Sequence, residues 1–331
     1  MKTEIYGTLG PACSDPGILA QMLREGMTGI RLNLSHTTLR DAGSMLEMLD
    51  AAADLTGIRP KLLIDLQGPE LRIGRLDRDL ALKTGEECTL GEGGIPVPRI
   101  LSGYLTPGRE LLLDDGKILL KVLQQEERLV RTEVLRGGIL KSRKSIAVKD
   151  LAIRTPAVTA EDRENLKTAA AAGVYGVMQP FVRSSRDLAE LKEAMRAAGA
   201  GHLRIFAKIE NREGMELVDS FLDDADEIII ARGDLGNAMP LWELPAAQKR
   251  IAAACRKRNK PFMVVTQMLS SMEHAAVPTR AEVSDIFNAV LDGAASVMVT
   301  GETAAGEYPA EVIRYLANTV REAEKYRESI C

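Results

Sequence analysis

Eight short apolar runs, each followed by a helix-like stretch, constrain this chain more than any other feature. They lie at 5–9, 29–34, 61–66, 174–180, 204–209, 227–231, 262–266 and 296–300. Runs that are apolar on consecutive residues predict strands buried on both faces, as in a parallel sheet. Amphipathic stretches at 15–25, 39–55, 160–172 and 185–198 lie between them. Thr159 with Asp162 three residues on predicts a capped helix start. Eight β and α units in alternation predict a (β/α)8 TIM barrel ahead of an open doubly wound sheet.

The alternation breaks between about 74 and 147, where β-like runs at 110–113, 118–122 and 129–134 are punctuated by Gly and Asp. This predicts a small inserted β-barrel lid domain after the third strand. The expected domains are therefore 1–73 with 148–331 for the barrel and 74–147 for the insert. Removing those 74 residues from 331 leaves 257, close to the roughly 250 of a complete barrel. An insert at that point would stand over the C-terminal rim and act as a lid. Residues 309–330 read as a last amphipathic helix.

The formal net charge of -4 argues against a general affinity for nucleic acid or anionic membrane. No run approaches the roughly 18 apolar residues of a membrane span, and the N-terminus does not resemble a signal peptide. Cys13, Cys88, Cys255 and Cys331 lack metal-ligand spacing, so a reducing cytoplasm is the simplest home. Three histidines make a histidine-rich zinc site a poor reading.

Chemistry gathers where the strands end. The run Phe206-Ala207-Lys208-Ile209-Glu210-Asn211 places Lys208 and Glu210 two apart, on one side of a strand. Asp234 arrives from the next strand in Ala231-Arg232-Gly233-Asp234-Leu235-Gly236. A cation with two carboxylates suggests a divalent metal beside a positively charged catalytic group. Either segment alone reads better as a salt-bridged barrel rim, and the two together with the other strand ends reverse that preference. Arg31, Asn33 and Ser35 alternate onto one face, with Arg31 suited to a phosphate fork and the other two to a weakly hydrated cation or water. Gly68 and Pro69 force a turn that aims Asp65 inward. Singly, Arg31 or Arg72 could be a surface ion pair, Asn33 and Ser35 turn formers, Thr266 a helix cap, His36 a turn residue, and Met263, Met268 and Met298 core filler. Collectively, nearly every run ends in a polar residue at the same barrel face.

In order along the chain, Thr8-Leu9-Gly10-Pro11-Ala12, Arg31-Leu32-Asn33-Leu34-Ser35-His36, the segment 65–72, Asp114-Asp115-Gly116, Lys208-Ile209-Glu210-Asn211, the segment 231–236, Thr266-Gln267-Met268-Leu269, Pro278-Thr279-Arg280-Ala281-Glu282 and Gly301-Glu302-Thr303-Ala304 resemble the signatures of the pyruvate kinase family. The resemblance covers nearly the whole chain. It implies a glycolytic transferase that moves phosphate from phosphoenolpyruvate to ADP, giving pyruvate and ATP. It implies that Glu210 and Asp234 hold Mg2+ (or Mn2+), and that Lys208 lies beside the transferring phosphoryl group and the enolate oxygen. It also implies a K+ site from the side chains of Asn33, Ser35 and Asp65 with the carbonyl of Leu66. Arg31 would contact phosphate, and the amides around Gly233 and Asp234 would receive the substrate carboxylate. Thr266 would belong to the network that protonates the enolate. His36, Arg72, Asn33, Asp115 and Lys144 match positions near the nucleotide. Glu70 goes with members that need potassium, since a lysine ammonium there can replace the cation.

The chain departs from the family pattern at Leu66 and Gln67, where threonine and lysine are usual, and at Thr37, Pro180, Ala238, Val283, Ser145 and Ala147. The C-terminal domain that commonly carries effector sites is absent from the pattern, which implies a form without that regulation. Pairing through 278–282 would give a homodimer. Two other functions stay open: a metal-dependent 2-oxo acid lyase or decarboxylase on the same enolate-stabilising site, and a non-catalytic phosphoenolpyruvate or nucleotide sensor.

Overall fold

The computed structural model describes residues 2–330 apart from Asp115, Asp150, Ala152 and Arg154. The chain opens with strands β1 (Glu4–Thr8), β2 (Gly29–Asn33) and β3 (Lys61–Asp65). Seven strands of a separate unit follow: β4 (Leu80–Leu82), β5 (Glu87–Gly91), β6 (Glu110–Leu113), β7 (Ile118–Gln125), β8 (Leu129–Arg136), β9 (Gly138–Leu140) and β10 (Ile146–Val148). The first kind of unit then resumes with β11 (Gly176–Gln179), β12 (Arg204–Ile209), β13 (Glu227–Ala231), β14 (Phe262–Val265) and β15 (Ser296–Met298). These last five and the first three close a barrel in the order β1-β15-β14-β13-β12-β11-β3-β2, parallel at every pairing. The (β/α)8 TIM barrel expected from the alternation is the fold.

The helices are α1 (Pro16–Glu25), α2 (Gly43–Thr56), α3 (Ala160–Ala169), α4 (Ser185–Ala197), α5 (Arg212–Leu217), α6 (Arg232–Asn237), α7 (Leu244–Lys257), α8 (Arg280–Leu291), α9 (Gly301–Ala304) and α10 (Pro309–Ile330). Their starts are written locally. The Asp15 carboxylate accepts from the Gly17 and Ile18 amides with Pro16 opening α1, and Thr159 with Asp162 closes a capping box on α3. Thr279 and Glu282 do the same for α8. Helix α2 starts at Gly43 and not at 39, because the Leu39 amide donates to Asn165 and Thr38 pairs with Asp41.

Strand alternation divides the barrel's side chains into two cores. On β12, Ile205, Ala207 and Ile209 face the helices, while Phe206 fills the lumen with Tyr6, Leu63, Met178, Ile229, Met263, Val265 and Met298. Two strand glycines make room for the large rings. A Cβ on Gly29 would lie 2.1 Å from Tyr6, and one on Gly176 would lie 2.5 Å from Phe206. Because residues in step with Phe206 also point into the lumen, Arg204 falls at the strand-start mouth and Lys208 at the opposite one.

The chain divides into two compact units. One runs up to Gly68 and resumes at Pro156; the other is Pro69–Thr155. The second unit holds a five-stranded antiparallel sheet in the order β10-β6-β7-β8-β5 and the hairpin β4-β9. It reaches past 74–147 at both ends, because Leu71, Ile73, Leu151 and Ile153 pack into its core.

Candidate active site

At the strand-end mouth of the barrel, four charged side chains form a continuous chain. Arg31 donates through Nε and Nη2 to Asp65 Oδ2 at 2.8 and 2.7 Å. Lys208 Nζ lies 3.2 and 3.0 Å from the two Asp65 oxygens and 3.0 Å from Glu210. The side chains of Arg31 and Lys208 are 12% exposed, and those of Asp65 and Glu210 only 2%. Attraction at this depth is weakly screened. Burial opposes the charges of Asp65, Lys208 and Glu210, and proximity decides the outcome at each. Asp65 is held below the ordinary carboxylate range despite burial, because Lys208 and Arg31 flank it. Lys208 resists the deprotonation that burial favours, since Asp65 and Glu210 raise its pKa.

Glu210 is the exception. Burial pushes its pKa up to about 7, and the neighbouring charges of Asp234 and Asp65 add to the rise against the pull of Lys208. Its Oε2 accepts a hydrogen bond from the Phe181 amide at 2.8 Å, which is aimed there by a left-handed Phe181 with φ 53°. Carboxylates crowded in this way are the donor set a small divalent cation would relieve. Among the described residues no group of three or more His, Cys, Asp or Glu stands ready to hold a metal. Two carboxylates suffice for an ion such as Mg2+, which commonly takes one or two from the protein and the rest from substrate oxygens and water.

Thr266 follows β14 with φ 81°, and Gln267 with φ 53°. Left-handed backbone at a β-branched residue is a genuine outlier of the kind that gathers at functional sites. Gly233 accommodates it, since a Cβ there would sit 3.0 Å from Thr266 Cγ2. Gly233 and Asp234 lie in the first turn of α6, where amides have no intrahelical acceptor.

The structure thus brings Arg31, Asp65, Lys208, Glu210 and Asp234 together, with Gly233 against Thr266. Asn33 closes a turn by accepting from the Ser35 amide at 3.1 Å, and Leu66 is buried with its amide on the Met178 carbonyl. His36 is exposed. Arg72, Lys144 and Glu70 belong to the second unit, where Arg72 pairs with Glu70 and Lys144 lies 2.8 Å from Asp114. Asp115 lies outside the described residues. Three site residues escaped the sequence reading. Asp162, read only as a cap, also accepts from the Gln67 and Gly68 amides at 2.8 and 3.1 Å and pins the turn after Asp65. Phe181 and Arg232 were missed too, although an arginine directly after a fully apolar strand was a signal for the latter.

Desolvated charge of both signs at the strand-end mouth of a closed (β/α)8 barrel marks an enzyme of the barrel class. A sequence model of the pyruvate kinase barrel domain matches residues 1–313. Among curated relatives, the pyruvate kinase of Aeropyrum pernix is 40% identical across 97% of this chain and 71% of its own length. That of Methylorubrum extorquens is 36% identical across 98% and 69%, and that of Geobacillus stearothermophilus 35% across 99% and 58%. The chain belongs to the pyruvate kinase family. It spans 58% of the Geobacillus relative and about seven tenths of the other two.

Proposed function

We propose that this barrel transfers a phosphoryl group between phosphoenolpyruvate and ADP, yielding pyruvate and ATP. The observation that carries the reading is Lys208, buried yet held charged between Asp65 and Glu210. A fixed cation there meets the negative charge that grows on the enolate oxygen as the phosphoryl bond breaks, without reorganising at the moment of reaction. Arg31, oriented by Asp65, binds phosphate. The first-turn amides of Gly233 and Asp234 receive the carboxylate, and the Thr266 hydroxyl belongs to the network that delivers a proton to the methylene carbon.

Glu210 and Asp234 would hold Mg2+ or Mn2+, which when bound supplies Lewis-acid neutralisation of substrate oxygens. Asn33, Ser35, Asp65 and the Leu66 carbonyl would hold K+, with Glu70 in place of a substituting lysine. Asn33, His36, Arg72, Lys144 and Asp115 would serve the nucleotide. Pairing of two copies through 278–282 and a reducing cytoplasm complete the reading. No helix of the described residues is long and apolar enough to cross a membrane.

The test is pyruvate formation from phosphoenolpyruvate and ADP with magnesium, with and without potassium, beside Lys208→Met. Turnover should need magnesium, rise with potassium, and fall roughly 10²–10³-fold in the variant. A folded wild-type protein without turnover would sink the proposal, and decarboxylation of oxaloacetate without nucleotide would favour the lyase.

A further inference from the structure

Arg232 has no part in the chemistry above, yet its side chain is only 10% exposed and its guanidinium is engaged on every side. Nε and Nη2 donate to the Thr266 carbonyl at 3.2 and 2.8 Å, and Nη2 also reaches the Gln267 carbonyl at 3.3 Å and Met268 Sδ at 2.9 Å. Nη1 is anchored by Asp285 of α8 at 2.6 Å and approaches Gln248 of α7 at 3.5 Å. The two carbonyls it grips belong to the two left-handed residues that follow β14. The next residue, Gly233, is the one whose missing side chain leaves space for Thr266. One dipeptide at the end of β13 therefore clamps the strained backbone and makes room for its side chain.

We propose that Arg232, anchored by Asp285, is a positioning residue that holds the Thr266–Gln267 turn left-handed and so sets the Thr266 hydroxyl for proton delivery. The inference rests on the role proposed for Thr266. A planar fork can hold two carbonyls and a carboxylate at once, which a lysine ammonium on a single point of attachment cannot do with the same geometry. Without the clamp the turn relaxes, and displacements of about 1 Å at a reacting group can cost on the order of 10²-fold in rate.

The experiment compares Arg232→Gln, Arg232→Lys and Asp285→Asn by steady-state kinetics. It also follows solvent deuterium entering the pyruvate methyl group in the presence of ATP and magnesium, which reports proton transfer at that carbon. Arg232→Gln should lower kcat roughly 10- to 100-fold while both KM values stay within about threefold, the pattern of a lost transition-state arrangement. Deuterium entry should fall in parallel. Arg232→Lys should be nearly as impaired, and Asp285→Asn should lose several-fold in both readouts. Adding Gln267→Gly to Arg232→Gln should restore part of kcat, because glycine adopts the left-handed conformation without being forced. If Arg232→Gln does not fold, Asp285→Asn and Arg232→Lys carry the test. Unchanged kcat and deuterium entry per folded molecule, with only a lower Tm, would overturn the inference, as would a rise in KM alone. Absence of turnover in the wild-type protein would bring down the proposed function before any substitution is compared.

Discussion

The barrel gathers ionisable side chains at both mouths, and the two are built differently. At the strand-start mouth, Lys61 pairs with Glu4 and lies 4.8 Å from the centre of the Tyr175 ring, while Arg204 donates to the Tyr175 hydroxyl at 3.0 Å and Tyr6 to Glu4 at 2.8 Å. Lys61, Glu4 and Arg204 are 33–42% exposed, and the carboxylate that does go under, Glu227, takes a hydroxyl hydrogen bond from Ser296. At the strand-end mouth the ions are 2–12% exposed, and the adjoining backbone is left-handed at Phe181, Thr266 and Gln267. One mouth lets water and aromatic rings absorb its charge; the other keeps its charge dry and its backbone off the minimum. Conserving such an arrangement costs stability, which is the pattern expected where electrostatics are held ready for a reaction.

The contrast breaks hardest at Asp65. Asp65→Asn leaves Arg31 and Lys208 facing each other with no carboxylate between them, and should cost about 3–5 kcal/mol of unfolding free energy in urea titration. A loss below 1 kcal/mol would mean that the strand-end ions are as well solvated as those opposite. Because the folded pKa of Asp65 is depressed, its stabilisation is present above its ordinary value of 3.8 and is lost as pH falls.

Glu227 should behave in the opposite sense. Burial, with a smaller push from Glu4, raises its pKa from 4.5 to about 7 against the pull of Ser296, Arg204 and Lys61. The fold favours the protonated form, so this stability is complete below about 4.5 and is lost as pH rises through about 7. Between those limits Glu227→Gln should remove a slope totalling on the order of 3 kcal/mol, read as the difference between the two proteins' stability curves. Parallel curves would show that Glu227 is not desolvated. The smallest effect belongs to Lys61→Met, whose partly exposed pair should contribute under about 1 kcal/mol and whose loss should leave kcat unchanged. A large fall in kcat there would erase the distinction between the mouths.

Much of this was legible along the chain because its signals are local. Consecutive apolar residues marked strands, a Thr-x-x-Asp spacing marked the start of α3, and a separation of two put Lys208 and Glu210 on one side of β12. The Gly68-Pro69 turn said that Asp65 points inward, but not that it would meet Lys208, 143 residues away, as well as Arg31. Nor could it show that Asp162 serves two turns at once, or that the ends of the second unit would be set by Leu71 and Ile153 packing into its core.

By itself the sequence determined the eight βα units, the polar residues that close nearly every strand, and the helix caps, since each depends on residues close together in the chain. Ring closure decided the rest. Only when β3 came to lie beside β2, and β12 one strand beyond β11, did Asp65 gather two cations. Only when β13 paired with β14 did Arg232 reach the carbonyls of Thr266 and Gln267. Charge sign and side-chain reach are written in the residues, but the loss of water that makes them strong belongs to the closed barrel.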